Sequence, residues 1–106
     1  MNLNVNGVEW KFLFVNPEDY NLINNQGKYT LGMTDNNIHC VFISNNIYGK
    51  LLYNVLCHEL CHVYIFSYNI YMDVEDEEHL AQFIADYGKW IISDTNELLH
   101  YIIHTP

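Results

Sequence analysis

Residues 51–66 read LLYNVLCHELCHVYIF, and the spacing of the apolar positions in this stretch decides how the chain folds. Leu51, Leu52, Val55, Leu56, Leu60, Val63 and Phe66 recur at three- and four-residue intervals, the period of a helix that buries one face. Asn45 or Asn46 offers a cap, so a long helix is expected from about residue 46 to about residue 68. Upstream the period changes to that of strands. Residues 3–8, 10–15, 29–33 and 39–43 are strand-like and are separated by Asn, Gly, Pro and Asp turn clusters. Downstream, Asp73 followed by Asp76 marks a second helix, with Leu80, Ile84, Tyr87 and Ile91 as its apolar face down to about Ser93. Asp94 followed by Glu97 marks a third, short helix to about His104. The expected fold class is α+β: a small antiparallel or mixed sheet packed on a long helix and on a second helix antiparallel to it, forming one domain over residues 1–106.

Composition narrows the function classes. Half of the residues are hydrophobic and 16% are charged, which reads as a folded chain able to build its own core. A net charge of −9 with only 4 Lys and Arg argues against binding to nucleic acid or to an anionic membrane, because a phosphate surface is engaged by clustered cations. No stretch approaches the roughly 18 consecutive apolar residues of a membrane span, and the N-terminal residues alternate like a strand rather than a signal core. Cys40, Cys57 and Cys61 are odd in number, and two lie four apart in a helix where a disulfide is awkward. Free thiols in a reducing compartment, hence a cytoplasmic location, are the expectation, with a protein or peptide as partner.

Within the helix, His58-Glu59-Leu60-Cys61-His62 places two imidazoles one helical turn apart on the same face, able to chelate one zinc ion. Roughly 0.02 such matches are expected by chance in a chain of this composition, so the pattern carries weight. Glu59 is turned by about 100° from His58, too far to join the chelate but placed to act as general base toward a water in zinc's open position. A catalytic zinc takes three protein ligands. The third is sought in Glu75-Asp76-Glu77-Glu78-His79, at the start of the second helix. A short connection makes the two helices antiparallel, with His62 about 9 Å before the turn and Glu78 about 6 Å after it. Glu78 is favoured over Glu77 and His79, because Ala81, Ala85 and Gly88 continue its stripe and let the helices approach closely. Gln82, one turn on, is placed to hydrogen-bond a ligating imidazole.

His58-Glu-x-x-His62 followed by Glu78-x-x-Ala81-Gln82-x-x-Ala85 resembles the gluzincin pattern of zinc metallopeptidases. It is similar to the minimal gluzincins and to the ImmA/IrrE-like metallopeptidases of phages and mobile elements, over about residues 38–88. The resemblance implies a zinc-dependent endopeptidase with His58, His62 and Glu78 on the metal and Glu59 as base. It also implies a sheet whose edge strand, about residues 39–44, binds an extended peptide by strand addition. Gln82 stands where those families usually carry Asn or Asp, and Cys61 where a small residue is common.

Other residues have plainer readings. Cys57 and Cys61 are expected as buried small hydrophobes, and Trp10 and Trp90 as core or core-edge aromatics. His39, Tyr48, Tyr71 and Tyr87 are candidate donors to a tetrahedral intermediate. His100 and His104 repeat the four-residue spacing without an accompanying base. Two other functions compete with peptide hydrolysis: a catalytically silent zinc-binding interaction or inhibitor protein, and a metal-free acidic interaction protein, each compatible with a phage-encoded inhibitor.

Overall fold

Asn6 and Gly7 both take positive φ, 50° and 84°, the backbone of a two-residue hairpin turn, and they join the first two strands. A computed structural model, which describes residues 1–105, gives these strands as β1 (Asn2–Val5) and β2 (Val8–Val15), paired antiparallel with Val5 opposite Val8. Two further strands follow, β3 (Gly32–Asp35) and β4 (Cys40–Ser44), and then two helices, α1 (Gly49–Ser67) and α2 (Val74–Ile103). The sheet is mixed, in the order β1-β2-β4-β3, because β4 runs parallel to β2 and antiparallel to β3. The chain is α+β, as its periodicity predicts.

β4 is therefore an interior strand, hydrogen-bonded on both sides, and the expectation that residues 39–44 form the open edge is corrected: β3 holds that position. The physical reason is in the side chains. Val41, Phe42 and Ile43 are all buried, and a continuous buried run belongs in the middle of a covered sheet rather than at its rim. The strand expected at residues 29–33 begins later, since Tyr29 makes only an isolated bridge to Ile23.

α1 packs on the sheet through Val63, which joins Val5, Trp10, Phe12, Val41 and Ile43 in the main core cluster. Trp10 is 1% exposed, and its indole Nε1 donates to Ser67 Oγ at 2.8 Å, so the largest core side chain is sealed without an orphaned donor. Neither Asn45 nor Asn46 caps α1. The cap position falls at Tyr48 without a side-chain hydrogen bond, while Asn46 Oδ1 accepts from Ser44 Oγ. At the other end Asn69 adopts φ 54°, its N–H reaching Phe66 O and that of Ile70 reaching Ile65 O, so the left-handed residue satisfies the last carbonyls and reverses the chain.

α2 returns antiparallel to α1. His62 meets Glu77, His58 meets Gln82, Asn54 meets Asp86 and Tyr53 meets Lys89 in turn. The face buried against α1 is that of Ala81 and Ala85, at 0% and 4% exposure, and not the larger Leu80, Ile84, Tyr87 and Ile91, all of which are at least one-third exposed. Small residues win this interface because they allow the close approach that the cross-helix polar pairs need. The third helix expected from Asp94 is instead the continuation of α2, unbroken to Ile103. No Gly or Pro interrupts that stretch, and Thr95 Oγ1 donates back to Ile91 O within the helix. Trp90, expected at the core edge, is 58% exposed, with Lys89 Nζ 4.9 Å from its ring centroid. No helix among the described residues is long and apolar enough to cross a membrane.

Candidate metal centre

The helical spacing of His58 and His62 brings their rings onto the side of α1 that faces α2, with centroids 5.1 Å apart. Both Nε2 atoms converge on one carboxylate. Glu78 Oε2 lies 3.0 Å from His58 Nε2, and Glu78 Oε1 lies 3.0 Å from His62 Nε2. One ligand atom from each of the three residues falls within 4.8 Å of the others. Zinc bonded at about 2.0–2.2 Å to nitrogen and oxygen in a tetrahedron separates its donors by about 3.3 Å, so the donor set suits such an ion in kind, and its two carboxylate–imidazole separations of 3.0 Å lie near that value. Of the acidic and histidine candidates at the start of α2, Glu78 reaches both imidazoles at Nε2, whereas His79 is exposed and outside the group.

Glu77 has a different place. Its Oε2 accepts from His62 Nδ1 at 2.6 Å, and this carboxylate is largely buried. Gln82 serves the other ring, with Oε1 accepting from His58 Nδ1 at 3.0 Å. The orientation of that amide is fixed from behind, because Gln82 Nε2 donates to Asp86 Oδ1 at 2.9 Å and to Asn54 Oδ1 at 3.3 Å. Each imidazole thus commits its Nδ1 proton outward and turns Nε2 toward Glu78. An unprotonated Nε2 and a carboxylate oxygen both present lone pairs, and they hold this approach only with a cation or a proton between them.

Glu59 lies beside the pair and is buried, at 7% exposure. Thr34 of β3 donates from Oγ1 to Glu59 Oε1 at 2.9 Å and also approaches the Glu59 carbonyl at 3.3 Å. Burial pushes the Glu59 carboxyl above the usual carboxylate range, and the nearby Glu78 charge adds to this; the Thr34 hydrogen bond and the two imidazoles oppose it. Gly32 is what lets β3 come so close. A Cβ built there falls 2.8 Å from Val55 Cγ1 and 3.0 Å from Glu59 Cγ, so a larger residue would displace the strand or the helix.

These groups line one side of an open cleft of about 710 Å³, whose other wall is β3 and the loop before it, including Thr30, Leu31 and Met33. Gly32 and Thr34 escape notice in the sequence because their contacts with α1 span more than twenty residues. The trace they do leave is a Gly-x-Thr alternation, which puts both on one face of a strand. None of His39, Tyr48, Tyr71 or Tyr87 lines the cleft; His39 packs against Trp10, with ring centroids 4.9 Å apart. Cys61 is buried and Cys57 partly so, with its Sγ directed at Ile84 O, and both thiols are pushed up by burial. The rings of His100 and His104 lie tilted with centroids 4.2 Å apart, and His104 Nδ1 donates to His100 O, an arrangement that gathers no acidic partner among the described residues. Comparison with known proteins returned no match, whether against protein families, curated proteins or solved structures.

Proposed function

We propose that the protein is a zinc-dependent metalloendopeptidase of gluzincin type, acting on a protein or peptide. The observation that carries this reading is the pair of imidazoles whose Nδ1 protons are committed to Gln82 and Glu77, and whose Nε2 atoms face the shared Glu78 carboxylate. His58, His62 and Glu78 would hold the ion, and the bound metal supplies Lewis acidity that lowers the pKa of water and polarises a carbonyl. Glu59 is the general base. Its raised proton affinity suits a carboxylate that takes a proton from the attacking water and returns it to the leaving amine. Thr34 holds Oε1 of that carboxylate and so leaves Oε2 to carry the proton.

The free edge of β3 bounds the cleft beside Glu59, and an extended peptide laid along it gains main-chain hydrogen bonds. The net charge of −9 disfavours nucleic acid and anionic lipid as partners. Three free cysteines fit the cytoplasm.

The test is metal content by elemental analysis on untagged protein, followed by hydrolysis of a mixed peptide library. One zinc per chain is expected in the wild type and in Glu59→Gln, with His58→Ala and Glu78→Ala losing it. Peptide cleavage is expected to fall by about 10²-fold or more in Glu59→Gln, as for loss of a general base. No zinc after reconstitution sinks the proposal and leaves an acidic interaction protein. Zinc without hydrolysis of any peptide turns the same site into a metal-stabilised binding module.

A further inference from the structure

The side of α2 that meets α1 is set by Ala81, Ala85 and Gly88, and helical spacing brings Ile92, Leu99 and Ile103 to the same side further on. α1 does not follow. It begins at Gly49, four residues before Tyr53, which stands against Lys89, so from about residue 94 the last three turns of α2 project beyond it and stretch the molecule to 58 Å. Toward this projecting part the residues change from small to large. Ile91, Ile92, Leu98, Leu99, Ile102 and Ile103 form one aliphatic arc, each 49–67% exposed. A helix bearing such an arc is ordinarily covered.

We propose that this arc is a dimerisation face, covered by the same segment of a second copy running antiparallel about a two-fold axis at Thr95. The face is complementary to itself. Turned about Thr95, Ile92 comes opposite Leu98, Ile91 opposite Leu99, and Ile102 opposite Gly88, which is seven residues to the other side. Gly88 lies in a groove of about 570 Å³ lined by Tyr53, Cys57, Ile84, Ile92 and Asn96, so each copy offers a recess where the other offers the large end of its helix. Charge permits the contact as well. At 100° per residue, Asp94 and Glu97 lie about 110° and 170° from the centre of the arc, and no like charges are brought face to face. The six aliphatic side chains, each about half to two-thirds exposed, leave on the order of 600 Å² to bury per copy, the lower end of what each partner gives to a standard interface.

Sedimentation velocity on the whole chain from about 1 to 100 µM tests this, together with oxidative cross-linking. A dimer is expected for the wild type, at twice the 12.6 kDa chain mass. Leu99→Asp and Ile102→Asp each alter the interface twice and are expected to raise the dissociation constant at least 100-fold. Their helical circular dichroism should be unchanged, because both positions are exposed in the single chain. Thr95→Cys, at the axis, is expected to form a disulfide-linked dimer, and Glu97→Cys, on the far side of the helix, is not. A wild type that stays monomeric to about 100 µM overturns the proposal and points to an apolar helix of another protein as the cover. Dimerisation that survives both Asp substitutions, or cross-linking of Glu97→Cys as ready as that of Thr95→Cys, overturns it too.

Discussion

Burial lifts the proton affinity of Glu59, and this has a consequence for stability that is separate from any catalysis. In the metal-free chain a raised carboxyl contributes stability that is fully present below its unfolded pKa and is lost as the pH rises through the folded value. Above the folded value the native state therefore carries a buried carboxylate at a cost. Glu59→Gln keeps the shape and still offers an oxygen to Thr34, but it removes the charge. The metal-free variant is expected to melt above the wild type at pH 8 by several degrees, corresponding to about 1 kcal/mol, with the gap closing as the pH falls toward 4. Thermal unfolding in the presence of a chelator measures this; a wild type as stable as the variant at pH 8 would count against an energetically costly Glu59. At this scale the sequence is most informative where contacts are local. His58, Glu59 and His62 are read from one turn of helix, and Glu78 from a height match across a short connection. Thr34 touches Glu59 across 25 residues, and no periodicity announces that contact. Glu77 is readable only as an alternative to Glu78 for the third ligand, and its place on Nδ1 of His62 depends on the rotation of α2, which the apolar positions misreport.

Among the elements, the turn between the helices does most to align the site, since it sets which residue of α2 stands beside which residue of α1. Asn69 makes that turn with a left-handed backbone. Asn69→Gly is expected to be neutral or slightly stabilising, whereas Asn69→Val is expected to cost about 1–2 kcal/mol, because a branched Cβ is strained there. Denaturant melts of the two variants decide it, and equal midpoints would show that the turn tolerates either conformation. Sequence patterns give the first two helices and most strand positions, while the strand order and the C-terminal end of α2 come out differently. The strand order depends on pairing between distant segments, and only the family resemblance puts residues 39–44 at an edge, whereas β4 lies between β2 and β3. Asp94 looks like a cap because Asp is a common one, yet capping is optional where helix can continue on both sides, and α2 runs through it.

For the whole molecule, a metal held as proposed by His58, His62 and Glu78 would couple its binding to folding through the pairing of α1 with α2. Without a cation, the Glu78 carboxylate and the two imidazoles must be held together by protons alone. Ligand that binds only the native state stabilises it by about 4 kcal/mol at a thousand times its dissociation constant, and a chain of this size shifts by about 4–8 °C per kcal/mol. Chelation is therefore expected to lower the melting temperature by more than 10 °C, and His58→Ala is expected to melt at the same temperature with and without zinc. Differential scanning calorimetry checks both, and a zinc-insensitive wild type would contradict the ligand set. The two tryptophans offer an intrinsic optical report on this coupling. Trp10 is sealed in the sheet core against α1, and Trp90 stands bare where α2 leaves it. Their fluorescence should therefore separate by colour, with a blue-shifted component closed to acrylamide and a red-shifted one open to it. Loss of the first marks unfolding of the core, while a change in the second alone registers something settling on the projecting helix.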